Sequence, residues 1–143
     1  MVFIYYHLLV SSSRRWPKPT QAQVLILRID ERQPNGIYWP VWTGALPVRW
    51  ENQDVTSVQR EITRDTIADL CRVSNSGTLH LLALWSPNSL KSDYRGVTNL
   101  LVTRQAQAKE CSSDFLGIAI DWDGKWDNGA AEMGRHLVIR EQT

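Results

Sequence analysis

The chain has 143 residues, 43% of them hydrophobic and 22% charged, with sixteen basic side chains against fifteen acidic. That length suits one domain, 1–143, and the composition is that of a globular protein rather than a disordered or fibrous one. A formal net charge of +1 supplies no field that would draw the chain to nucleic acid or to an anionic membrane. Neither is therefore an expected partner, although charge alone does not exclude nucleic acid.

Met1 to Val10 is apolar but too short to span a bilayer. It lacks the basic segment and small-residue cleavage site of a secretory signal, so a cytoplasmic location is expected. Its Val, Phe, Ile and Tyr content reads as a buried first strand. Cys71 and Cys111 show neither metal-type nor redox-type spacing and are expected as free thiols in a reducing compartment. Ser11 to Thr20 is a loop, held extended by Pro17 and Pro19. Val24 to Ile29 is a nearly continuous apolar strand, expected to be covered on both faces. Asp30 to Gly36 is a turn by composition.

Tyr38 to Trp42 is a third strand that Pro40 confines to an edge or a bulge. Trp39 and Trp42 are expected to share a face of it, with one ring at the rim of a cleft. A Thr43-Gly44 break and a loop over Pro47 to Gln53 follow. From Asp54 to Leu70 the spacing of Val55, Val58 and Ile62 predicts a helix, with Asp54 as its N-cap. Glu61, Asp65 and Asp69 are four apart, so one helix stripe would present three carboxylates. Like charges at that spacing repel unless a cation sits among them, and a divalent metal or Arg60 and Arg64 could serve.

Asn75 to Gly77 marks a turn, and Thr78 to Trp85 reads as a strand. A polar loop over Ser86 to Gly96 leads to strands over Val97 to Thr103 and Phe115 to Ile120. The segment Gln105 to Ser113 between them is polar. Ala130 to Glu141 is expected as a closing helix with Met133 and Leu137 inward. Strands, one central helix, more strands and a final helix predict an α+β fold, an α/β/α sandwich with a mixed sheet between helices.

Arg60-Glu61-Ile62-Thr63-Arg64-Asp65 resembles the R-E-U-x-E-E core of the Nudix box. Gly44 falls where the opening glycine of that box belongs, after a Tyr-Trp-x-x-x-Thr-Gly-x-Leu pattern similar to that of the dihydroneopterin triphosphate pyrophosphohydrolase branch. The resemblance covers Val24 to Leu70 and implies the mixed-sheet fold just described, with the central helix carrying catalysis. It implies a hydrolase that cleaves a nucleotide-like or pterin di- or triphosphate with Mg²⁺ or Mn²⁺, the metal offsetting the charge that develops on phosphorus. Hard cations take several oxygen ligands. Those implied are Glu61 and Asp65, which would also be the catalytic acids, the Thr43 carbonyl, and Asp114 ahead of the Phe115 strand. Arg60 would pair with Glu51 to brace the loop that begins at Gly44.

Arg64 replaces an acid of the motif. It puts a cation where a metal ligand belongs, or it contacts a substrate phosphate. Trp39 and Trp42 could stack on the substrate's ring, or pack in the core. Two other readings of the same residues stand beside the hydrolase. One is a non-catalytic module of the same fold that binds a nucleotide, an RNA end or a protein. The other is an unrelated domain in which Arg60, Glu61, Arg64 and Asp65 form exposed ion pairs worth a few tenths of a kcal/mol each. Residue types name neither the substrate nor the oligomeric state.

Overall fold

The computed structural model describes residues 1–11, 19–50, 66–83 and 85–142. It corrects the expected α+β sandwich: the described chain is two antiparallel sheets, with a single helical turn, α1, at Ala130–Met133. The first sheet holds β1 (Phe3–Val10), β4 (Thr66–Ser74), β5 (Thr78–Leu81) and β6 (Asp93–Arg95), in the order β1-β4-β5-β6. The second holds β2 (Gln23–Arg32), β3 (Tyr38–Pro47), β7 (Thr98–Gln107), β8 (Leu116–Trp122) and β9 (Leu137–Gln142), in the order β3-β2-β7-β8-β9.

The inner faces of both sheets meet in one apolar core. Leu70, Val73, Leu79 and Leu81 come from the first sheet, and Ile26, Ile29, Leu100, Val102 and Ile120 from the second. Burying each such side chain stabilises the fold by roughly 1.5–3 kcal/mol. Trp50 is fully buried beside this core and bridges to Ala68 of β4.

Two segments expected as helices are strands. Of the helix expected over 54–70, the described part, 66–70, opens β4 and pairs with β1. Ala68, Asp69, Leu70 and Cys71 are buried in succession, so β4 is covered on both faces, and a strand covered that way shows no alternation to mark it. The remainder of that helix, 54–65, lies outside the described residues. The closing helix stops after one turn at Gly134, and Leu137 to Gln142 form β9 instead. Met133 and Leu137 are one helical turn apart, but Leu137 is buried and Ile139 half-buried with Val138 exposed between them, the period of a strand. Pairing with β8 across six positions outweighs the helix propensity of Ala130 to Glu132.

The third strand runs further than expected. β3 continues from Tyr38 through Thr43 and Gly44 to Pro47 as the edge of the second sheet, where Pro40 leaves no ladder bond unmade. Strict alternation would put Trp39 and Trp42 on opposite faces. A bulge at Val41 changes the parity, so Trp39 lies opposite Glu31 and Trp42 opposite Ile29. Gly44 is therefore not a break in the chain. The Trp42 indole lies over it, and a Cβ there would come within 2.7 Å of Trp42 Cζ2.

Among the described residues no helix is long and apolar enough to cross a membrane.

Candidate functional site

β7 alternates strictly. Thr98, Leu100, Val102 and Arg104 are buried, while Asn99, Leu101 and Thr103 between them are half-buried. The inward stripe of this central strand therefore ends in a guanidinium. Arg104 pairs with Ile26 of β2 on one side and Leu116 of β8 on the other, and these apolar neighbours hold it inward. It is 2% exposed, and Nε, Nη1 and Nη2 each lack a hydrogen-bond partner among the described residues. Burial pulls its pKa from 12.5 down to about 10, slightly opposed by the nearby Cys71. The side chain is still cationic at neutral pH. An unpaired charge in a low-dielectric interior costs several kcal/mol, which is why buried charges are usually paired.

Arg104 lies in a cleft of about 450 Å³, within the range of small-molecule sites. The cleft opens along one side of the sandwich, where β1 at the edge of the first sheet faces β7, β8 and β9 of the second. Its walls are largely aliphatic: Leu8 and Val10 of β1, Val24 of β2, Leu116 and Ile118 of β8, and Ile139 of β9. His7, Ser11, Gln105 and Ser113 add polar groups, and Arg140 and Glu141 add charges of both signs. Cys71 is fully buried, cross-strand from Tyr6. Burial pushes its thiol up to about 12, with a smaller downward pull from Arg104. Burial, and then Cys71, raise the Tyr6 hydroxyl as well.

His7 and Arg140, which also line the cleft, already have partners. Asp69, expected on an exposed stripe with Glu61 and Asp65, is instead a buried strand residue. Arg49 Nε reaches its carboxylate at 2.9 Å and His7 Nδ1 at 3.2 Å. Arg140 pairs with Asp121 at 2.8 Å. A separate cluster lies beyond β8, where both ring nitrogens of His136 meet carboxylates, Asp123 at 2.8 Å and Asp127 at 2.9 Å. These two bonds raise the His136 pKa. Asp123 is raised by partial desolvation, but bonds from His136 and the Lys125 amide outweigh this and leave it lowered.

The residues singled out by the family resemblance are placed as follows. Glu51, Arg60, Glu61, Arg64 and Asp65 lie outside the described residues. Thr43 is exposed on the edge strand β3, in register with Arg28, Thr103 and Gly117 across β2, β7 and β8. Three strand spacings, about 14 Å of sheet, separate it from β8. Asp114 is exposed in the β7–β8 connection just ahead of β8, so the structure does not bring these two oxygen donors together. Trp39 is 64% exposed on β3, while Trp42 is half-buried and packs on the core. Neither lines the Arg104 cleft. Among the described residues, no group of three or more His, Cys, Asp or Glu side chains is arranged to hold a metal ion.

The strand expected over Val97 to Thr103 stops one residue short of Arg104, where β7 continues to Gln107. The signal was present all the same, since Leu100, Val102 and Arg104 continue one period-two stripe. No protein-family model matches the chain, and neither a curated protein nor a solved structure does.

Proposed function

We propose that this protein is a binding module that holds a small anion, a phosphate or a carboxylate, on the Arg104 guanidinium. One observation carries the reading: a buried, protonated side chain with three nitrogens free of partners among the described residues lines a cleft of ligand size. Structural arginines buried this deeply are normally paired, because the fold gains nothing from an isolated interior charge. The three nitrogens are themselves buried, so an anion reaches them from the cleft only as its wall yields; it would then meet a planar fork of donors in a medium that strengthens the contact, the arrangement best suited to a carboxylate or phosphate.

The hydrolase implied by the residues around 60–65 needs Mg²⁺ and acids that the described residues do not include. It rests on sequence alone, and the binding reading does not depend on it. The test is to titrate the protein with inorganic phosphate and with acetate while following the Arg104 Nε–H resonance, assigned by its loss in Arg104→Met. A saturable shift is expected at millimolar anion. No shift with either anion would overturn the proposal. Mg²⁺-dependent release of phosphate from a nucleoside triphosphate, unaffected by Arg104→Met, would favour the hydrolase instead.

A further inference from the structure

The composition of the cleft wall narrows the class of anion, given that Arg104 is where the anion binds. The inward side chains of β4, β5, β7 and β8 are largely buried, whereas those of β1, Ile4, Tyr6, Leu8 and Val10, are only half-buried. Across the opening, Leu116 and Ile139 are half-buried too. Among the described residues the core is thus least covered along the seam between β1 and β9, where these side chains are part-exposed. Among the described residues no Trp, Tyr or Phe ring lines the cleft, so these residues offer no platform on which a nucleobase or pterin could stack.

The charges narrow the class further. Arg104 has no carboxylate partner among the described residues, while Arg140 is committed to Asp121 and His7 to Asp69. Glu141 adds a negative charge to the lining. Arg104 is thus the cation of this lining without a partner among the described residues, so a single anionic head group suits it, and a second charge beside Glu141 would be repelled.

We infer that the cleft takes an aliphatic monocarboxylate, with its head group on Arg104 and its chain along the wall of Leu8, Val10, Leu116 and Ile139. The guanidinium accommodates two parallel N–H···O bonds to one carboxylate. The chain would cover the half-buried side chains of the seam, so affinity should grow with chain length. Each methylene moved from water to an apolar wall is worth roughly a fourfold gain in affinity.

The experiment compares acetate, butanoate, hexanoate and octanoate by isothermal titration on the intact chain, beside 1-octanol and a nucleoside monophosphate. The expected result is a gain of about fourfold per methylene until the cleft is filled. Arg104→Met should weaken octanoate at least tenfold, the loss of a charge-assisted contact. Ile139→Trp, which narrows the wall beside the bound chain, should reduce the gain per methylene. Octanoate binding no tighter than acetate would overturn this inference and leave the anion-binding reading standing. So would 1-octanol binding as tightly as octanoate, or the nucleoside monophosphate outcompeting it. Failure of acetate and inorganic phosphate alike to bind would remove the anion-binding reading itself.

Discussion

Replacing Arg104 with methionine should stabilise the unliganded protein while removing its capacity to bind anions. In the fold Arg104 is 2% exposed, and its guanidinium has no hydrogen-bond partner among the described residues. A pKa lowered from 12.5 to about 10 means that the charged form is disfavoured in the fold by about 3 kcal/mol, at 1.36 kcal/mol per pKa unit. Methionine keeps much of the length and flexibility of the side chain and brings no charge, and its neighbours Ile26, Leu116 and Val102 are apolar. Replacing buried ionic groups with apolar ones of similar volume has raised stability by about 1–4 kcal/mol elsewhere, which brackets the figure from the pKa. For a domain of this size each kcal/mol moves the melting temperature by about 3–4 °C, so Arg104→Met should melt about 10 °C higher.

Thermal unfolding of the two proteins, both free of added anion, measures this directly. The pH dependence gives a second signature. A base with a depressed folded pKa binds fewer protons in the folded state than in the unfolded one between about 10 and 12.5. Arg104 therefore becomes less destabilising as pH rises through that window, and the gap between the two proteins should narrow there. If Arg104→Met melted well below the parent protein, the guanidinium would have a stabilising partner, and the argument for a binding site would fall with it.

The His136 cluster should tie stability to pH near neutrality. The raised folded pKa of His136 means that its contribution is fully present below 6.5 and is lost as pH rises through the folded value. The melting difference between parent and His136→Gln should shrink on going from acid to mildly alkaline solution, and a difference constant with pH would refute the assignment. Asp123, lowered in the fold, should contribute stability above its ordinary 3.8 and lose it as pH falls through its folded value, an effect that Asp123→Asn should erase. The two thiols should separate kinetically. Buried Cys71, pushed up to about 12, should resist a thiol reagent at pH 8, while half-buried Cys111 reacts. Two fast thiols in the folded protein would contradict the burial of Cys71. At Gly124, φ is +84° and an added Cβ would lie 2.8 Å from the Gly96 carbonyl carbon. Gly124→Ala should therefore cost about 2–3 kcal/mol, read from denaturant unfolding, through backbone strain and backbone contact together.

Several strands of this fold can be read locally. The aliphatic run of β2, the Pro40 edge of β3 and the alternation over Leu100 and Val102 each carry their period in a few adjacent residues. β4 and β9 do not. Thr66 to Leu70 continues a helical spacing, and Met133 and Leu137 satisfy one as well, yet both segments are strands because neighbouring strands supply their hydrogen bonds. A chain segment cannot signal the arrival of partners distant in sequence. The spacing of Val55, Val58 and Ile62 is likewise a local pattern, and the described end of the helix it predicts, 66–70, lies in a sheet.

For the candidate site the division is sharper. That position 104 faces inward follows from its place in a period-two stripe, which the sequence by itself determined. That its guanidinium meets no carboxylate among the described residues was decided by tertiary structure alone. The sheet order sets β1 and β9 on either side of a seam, and the described acids Asp69 and Asp121 are taken up by Arg49, His7 and Arg140. Whether a buried charge is neutralised depends on every group within a few ångströms in three dimensions. Those groups come from strands separated by up to a hundred residues of chain, so no local pattern records the outcome.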